Sequence, residues 1–354
     1  MLVRDPPEDR SMTETQTRVL LASRPKGTPT AENFEVVTGP VPEPGEGEAL
    51  VKAIYLSLDP YMRGRMDDAK SYAEPVKLGD PMTGRGVGQV IKSNNSRLTE
   101  GDFVLGTWDW QSHAISDGRG VLKLDPATAP ISTALGVLGM PGLTAYVGLL
   151  DIGQSKEGET VVVAAASGAV GGVVGQIAKI KGARAVGIAG TPEKCAFLTD
   201  ELGFDAAICH RDSDMADQIA RACPDGIDVY FENVGGAVFE AVLPLFNPFA
   251  RIPVCGLIAR YNATALPDGP DRSAQLMRSV LTNRLMIQGF IVTDRYDRHG
   301  DFINDVGGWI RDGKLKYRED IVEGLENAPE AFIGLLGGEN FGKRLIRVSD
   351  DPTR

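Results

Sequence analysis

Residues 160–178 read TVVVAAASGAVGGVVGQIA, and it is here that the chain first shows chemistry. A buried-strand pattern (159–166) runs into Ser167-Gly168-Ala169-Val170-Gly171, and helical spacing then continues to Gly182. A pyrophosphate needs a turn whose backbone it can approach, followed by a helix whose first N–H groups face it. Glycines fall at 168, 171 and 175, one short of the GxGxxG fingerprint, but their place between strand and helix supplies the missing specificity. A glycine-rich helix packed tightly on a sheet is the plainer alternative. The next strand ends Ile188-Ala189-Gly190-Thr191, without the carboxylate that bonds a ribose 2′-hydroxyl and repels a 2′-phosphate. Lys194 follows, and His210-Arg211 closes the strand after that, so cations converge where a 2′-phosphate would sit. NADP is therefore favoured over NAD. The alternative pairs Lys194 with Glu193 or Asp200, a surface contact of little energy.

Other chemistries lack their residues. A catalytic zinc takes three Cys, His, Asp or Glu ligands. Residues 1–194 contain no cysteine, and the histidines are His113, His210 and His299 alone. A zinc held by cysteines of the N-terminal region is excluded, no clustered acids suggest another site, and no metal is expected. No GxSxG elbow supports a serine hydrolase. Cys195, Cys209, Cys223 and Cys255 lack zinc-knuckle spacing, and a chain of this length needs no disulfide framework. A reduced, cytoplasmic setting is expected, and the chemistry falls to the nicotinamide.

These residues need elements to hold them. After residue 133 buried strands alternate with helices: strands at 159–166, 184–190, 205–209, 226–236, 251–258 and 285–292, helices at 168–182, 192–203, 212–224 and 237–246. That rhythm predicts a parallel, doubly wound sheet. Residues 133–153 look helical, and the tail reads as a helix (299–316), a loop, a further helical stretch and a last strand (343–349). Residues 30–130 instead hold short apolar runs between Gly/Pro turns, predicting a small β-barrel or sandwich. The chain has 354 residues, which suggests two domains.

Hydrophobic residues make up 42% and charged residues 24%, an ordinary globular balance. The net charge of −11 repels phosphate backbones and anionic lipid, so neither nucleic acid nor a membrane surface is an expected partner. Residues 160–178 are uncharged and long enough to span a bilayer, but their glycines, serine and glutamine fit strand, turn and helix better. The N-terminus lacks a signal-peptide core, and Met12 is an alternative start that makes the preceding residues an upstream extension.

Several strings then resemble one known group: LSLDPYMRGRM (56–66), GMPGLTAY (139–146), AASGAVGGVVGQIAKIKG (165–182), ENVGG (232–236), CGLIARYN (255–262), QGFIV (288–292) and ENFGKR (339–344). They are similar to the zinc-independent medium-chain dehydrogenase/reductases, in the branch of prostaglandin reductase, plant alkenal double-bond reductases and bacterial curcumin reductase. The resemblance implies an α/β chain with a GroES-like β-barrel catalytic domain (1–132), a Rossmann NADP-binding domain (133–308) and a return to the catalytic domain (309–354). It implies NADPH giving hydride to the β-carbon of an α,β-unsaturated ketone or aldehyde, an enolate, and a proton to the α-carbon. Homodimers are common among the relatives.

Carried over by position, Gly168, Ala169, Val170 and Gly171 would contact pyrophosphate, and Lys194 and His210 the 2′-phosphate. Asn233, Cys255, Gly256, Leu257, Ile258, Ala259, Arg260, Tyr261, Phe290, Ile291, Val292 and Asn340 would line the rest of the cofactor. Tyr261 is the expected catalytic group, since a phenol beside a developing enolate stabilises transition-state charge. The alternative makes it a loop anchor with its hydroxyl on backbone. Tyr55 would face the substrate, though a strand tyrosine serves equally as core. Arg63, after the Asp59-Pro60 turn, reads as a structural ion-pairing residue.

Two positions depart from the family. Cys209-His210-Arg211 replaces a tyrosine followed by a basic residue, which predicts an NADP preference that weakens as pH rises. Ala259-Arg260 replaces small polar residues, and Arg260 either selects acidic substrates or faces solvent. A quinone reductase and a non-catalytic NADPH-binding protein are the competing functions.

Overall fold

The computed structural model describes residues 15–267 and 271–354; Met12, the alternative start, lies outside them. Six strands form one wholly parallel sheet, in spatial order Ala206–Cys209, Arg184–Ala189, Thr160–Val163, Ile227–Phe231, Phe246–Val254 and Met286–Gly289. In chain order that is 3-2-1-4-5-6, the doubly wound dinucleotide arrangement. The strands are continuously apolar because both faces are covered. Val161, Val163, Val229 and Phe231 enter one core with residues of helices Gly171–Ile180 and His299–Arg311. Val162 and Tyr230 enter another with Ile219 and Val238, from helices Met215–Ala222 and Gly236–Val242.

The second sheet has seven strands. Along its path run Glu319–Glu323, Lys343–Arg347, Ala49–Ser57, Arg85–Ser93, Phe103–Thr107 and Leu122–Leu124, with His113–Ser116 also paired to Ala49–Ser57. Lys343–Arg347 lies antiparallel to Ala49–Ser57, so the C-terminal tail completes the N-terminal sheet. A hairpin of Thr15–Leu21 and Phe34–Pro40 lies against it, sharing a core in which Phe34, Trp110 and Phe332 pack ring on ring. The chain is thus a GroES-like barrel joined to a Rossmann domain.

Residues 133–153 are less regular than expected: a short turn at Ile131–Leu135, a helix at Met140–Val147 and a π-helical turn at Gly148–Gly153. The wide turn makes room for rings, since a Cβ on Gly148 would lie 2.6 Å from Phe231 and 2.8 Å from Phe290. Residues 160–178 divide into strand, glycine turn and helix. Among the described residues no helix is long and apolar enough to cross a membrane.

Candidate active site

Every expected cofactor residue except Asn340 follows the carboxyl end of a strand in the parallel sheet, where open α/β sheets bind their ligands. At the glycine turn Ala165 is left-handed (φ 50°), the Gly168 N–H donates to the Ala165 carbonyl at 3.1 Å, and the helix starts at Gly171. A Cβ on Gly171 would lie 2.5 Å from the Ala165 oxygen, and one on Gly175 would lie 1.9 Å from the Phe204 ring. The helix therefore seats on the sheet only because these positions are glycine. No acid stands in its first turn and no side chain caps it; the Gly172 and Val173 N–H groups already donate to the Gly168 and Val170 carbonyls, so those of Ala169, Val170 and Gly171 are the ones placed for an anion. Gly168, Ala169 and Val170 are half-exposed above them.

Asn340 arrives from the tail. Gly342 forms a parallel bridge with Gly168, and its N–H donates to Ser167 at 3.2 Å. Phe341 meets Phe197 edge-on, with ring centroids 4.9 Å apart. The same tail loop accepts the buried Lys194 ammonium at the Gly338 carbonyl, 2.7 Å away. Lys194 thus bonds neither Glu193 nor Asp200. Burial and then Arg211 hold its pKa below the usual lysine range. His210 is fixed by its backbone N–H on Ala189 at 2.9 Å, with its ring beside Gly190. Burial, then Arg211, pushes its pKa down, which favours the neutral imidazole. Cations that raise one another's cost of charge make a site a phosphate dianion would relieve. Glycine turn, open helix end and cation cluster together fit a dinucleotide bearing a 2′-phosphate.

The nicotinamide side is built on Glu232, which the sequence reading passed over. It follows the buried strand Ile227–Phe231 and is itself only 2% exposed. Its carboxylate accepts the N–H of Val234 at 2.6 Å, the N–H of Gly235 at 2.8 Å and the Tyr230 hydroxyl at 3.2 Å. Burial, the largest influence, raises its pKa. Its backbone carbonyl receives the N–H groups of Cys255 and Gly256, while Asn233 and Val234 carbonyls receive those of Ile258 and Ala259. The turn at 232–235 therefore holds the 255–259 segment along its length, and the Asn233 side chain is tied to Ala164 at 2.8 Å. Burial pushes the Cys255 thiol up to about 12, which keeps it uncharged. Phe290 stands edge-on to Phe231, and Ile291 and Val292 continue the wall half-buried.

Tyr261 ends the short helix Ile258–Tyr261 and folds back over this segment. The Leu257 N–H donates to its hydroxyl oxygen at 3.4 Å, and the absence of a Cβ on Gly256 lets the phenol close over it. Burial raises its pKa, and Cys255 and Tyr72 add to the effect. Tyr72, an exposed barrel residue that the sequence reading did not single out, thus approaches Tyr261 and Cys255 from the other domain. Arg260 points elsewhere: its guanidinium caps the Ala265 carbonyl at 2.5 Å.

Tyr55 requires correction. It is fully buried in the barrel, its hydroxyl donates to Asp351 at 3.0 Å, and its pKa is pushed up to about 12 by burial and that carboxylate. It packs in a core with Val87, Leu105 and Leu345 on a strand buried over nearly its whole length, and the structure does not bring it to Tyr261. Arg63 makes the expected ion pair, with Asp67 at 2.7 Å. Among the described residues no group of three or more His, Cys, Asp or Glu side chains is placed to hold a metal.

Two family descriptions match the chain, "N-terminal domain of oxidoreductase" over residues 17–124 and "Zinc-binding dehydrogenase" over 169–305. The NADPH-dependent curcumin reductase of Escherichia coli (strain K12) is 56% identical over 335 residues, covering 94% of this chain and 97% of that protein. The chain belongs to the zinc-independent medium-chain dehydrogenase/reductases, in the curcumin reductase and prostaglandin reductase branch. Prostaglandin reductase 1 of Rattus norvegicus is 44% identical over 91% of this chain and 96% of its own. The crystal structure of CurA in complex with NADPH from Vibrio vulnificus superposes with a TM-score of 0.92 at 56% identity, covering 95% of this chain and 100% of that one. An Escherichia coli quinone oxidoreductase shares the fold, with a TM-score of 0.73 at 19% identity over 94% of this chain and 99% of its own.

Proposed function

We propose that this chain uses NADPH to reduce the carbon–carbon double bond of α,β-unsaturated aldehydes or ketones. The observation that carries the reading is Tyr261, a protonated phenol held over the 255–259 segment with its oxygen on a backbone N–H. Bound NADPH supplies the hydride. As the β-carbon is reduced, charge collects on the substrate carbonyl oxygen, and the Tyr261 hydroxyl donates to it. The Leu257 N–H polarises that hydroxyl, so the donor is preorganised where charge develops. The α-carbon then takes a proton from solvent water, and Tyr261 keeps its own between turnovers because burial raises its pKa. Gly168 to Gly171 would seat the pyrophosphate, Lys194 and His210 the 2′-phosphate, and Asn233, the 255–259 segment, Phe290 to Val292 and Asn340 the remainder.

The domain limits fitting this reading are 1–132, 133–308 and 309–354, with the cleft between barrel and Rossmann domain. A homodimer fits the edge strand Met286–Gly289, beside which Met277, Leu281, Met286 and Ile287 are exposed. The cytoplasm is the compartment that fits the free cysteines. The test is NADPH oxidation with trans-2-alkenals, an enone, a 15-keto prostaglandin, curcumin and a simple quinone, with NADH in parallel. Turnover of the enals or enones with NADPH preference is expected, and quinone turnover alone would replace this reading with a quinone reductase.

A further inference from the structure

The LSLDPYMRGRM string has a role that neither the cofactor site nor the proposed reaction uses. Its first half is fixed in the barrel: Asp59 is bonded by Ser57 and by the buried Lys343 ammonium, the latter at 2.7 Å, and Lys343 also reaches the Leu58 carbonyl at 2.8 Å. Met62 and Met66 are fully buried on either side of Arg63. From this rigid base the Arg63 guanidinium, 3% exposed as a residue, divides its donors among three segments. It gives one hydrogen bond to Asp67 at 2.7 Å, one to the Gly27 carbonyl at 3.0 Å and one to the Asn262 side-chain oxygen at 3.1 Å. The first two stay within the barrel. The third crosses to the Rossmann domain, to the residue after Tyr261.

The 255–262 segment is thus held from both domains. Backbone bonds to Glu232, Asn233 and Val234 hold its first half, and Arg63 holds its far end. We infer that Arg63 is a positioning residue which, through Asn262, fixes the Tyr261 hydroxyl relative to the substrate cleft. An ammonium could keep the Asp67 pair but not the three-way fork, because the guanidinium presents its donors in one fixed plane. Losing Asn262 would leave the buried Nε–H of Arg63 without its acceptor, which is costly, so that bond is held rather than transient. The inference rests on the proposed reduction for its kinetic arm and on geometry for its structural arm.

The test compares the full-length wild type with Asn262→Ala, Arg63→Lys and, as control, Tyr296→Phe, which removes the exposed cross-domain bond from Arg85. Amide hydrogen exchange across 255–264 is read by mass spectrometry, alongside kcat for a trans-2-alkenal and NADPH Kd. Expected in both latch variants are faster exchange in 255–264 and a kcat roughly 10- to 100-fold lower, as for an Å-scale misplacement. NADPH Kd should hold within about threefold of wild type, and Tyr296→Phe should change neither readout. In a Tyr261→Phe background Asn262→Ala should cost nothing further in kcat, since the group it positions is gone. With an active wild type, a change in one readout without the other, or a loss that adds to that of Tyr261→Phe, overturns the inference. A wild type inert on every enal and enone would sink the functional reading instead. The exchange arm would then decide the latch alone: unchanged exchange in both variants overturns it, and faster exchange supports it.

Discussion

Tyr261 combines a raised pKa with an oxygen that accepts from Leu257, and in the proposed reduction its O–H would donate to the substrate. Tyr261→Phe is expected to lower kcat roughly 100-fold, the scale of losing one oxyanion donor, while NADPH Kd by fluorescence titration moves far less. Equal losses in both would make it a cofactor anchor. Lys194 would act on binding instead. Lys194→Ala should weaken NADPH about 10- to 100-fold, as for a lost charge-assisted hydrogen bond, and leave NADH affinity in the same calorimeter unchanged. His210 adds a pH dependence. Its pKa is depressed in the free protein by burial and Arg211, and a phosphate dianion beside it would raise it, so NADPH binding is expected to take up a proton. The ratio of NADH Kd to NADPH Kd should therefore grow as pH falls from about 8.5 to 7, where a phosphate with a pKa of about 6 stays largely dianionic. His210→Gln should flatten that slope; an unchanged slope would remove His210 from the phosphate site.

At the scale of elements, the turn after Ile227–Phe231 carries the site. Glu232→Ala would strip a buried acceptor from the Val234 and Gly235 N–H groups, an expected loss of about 2–4 kcal/mol in urea unfolding. A loss below about 1 kcal/mol would mean that water replaces the carboxylate there. The strands and the glycine turn were legible in the sequence because continuous apolar runs and tight glycine spacing are local signals. Glu232 was not, because an acid at a strand end reads as solvated unless the two N–H groups it binds are known. Tyr72 was hidden for a similar reason: it sits in an irregular barrel segment and approaches Tyr261 only in three dimensions. The helix Ser273–Asn283 has no fully buried residue: Leu276 and Val280 lean on the sheet core while Met277 and Leu281 stay exposed, so its apolar side faces two ways. From sequence Tyr55 fits burial or substrate contact equally, and what decides between them is Asp351, 296 residues along the chain.

For the whole molecule, the tail does two things at once. It completes the barrel through Lys343–Arg347 and presses Gly342 and Phe341 onto the glycine turn and its neighbouring helix, so barrel and cofactor domain share one seam. The opposite end of the parallel sheet is its open edge, Met286–Gly289, with exposed Met277, Leu281 and Ile287. Ile287→Lys is expected to convert a dimer to a monomer in sedimentation velocity, whereas an unchanged sedimentation coefficient would place any dimer contact elsewhere. Hydride transfer is expected at the β-carbon, not at the carbonyl carbon or a quinone. Its most direct test is reduction of a trans-2-alkenal with NADPH deuterated at the transferring position, followed by NMR of the product. Deuterium at the β-carbon of a saturated aldehyde is the predicted result. Deuterium on the carbinol carbon of an allylic alcohol, or no reduced product, would contradict it.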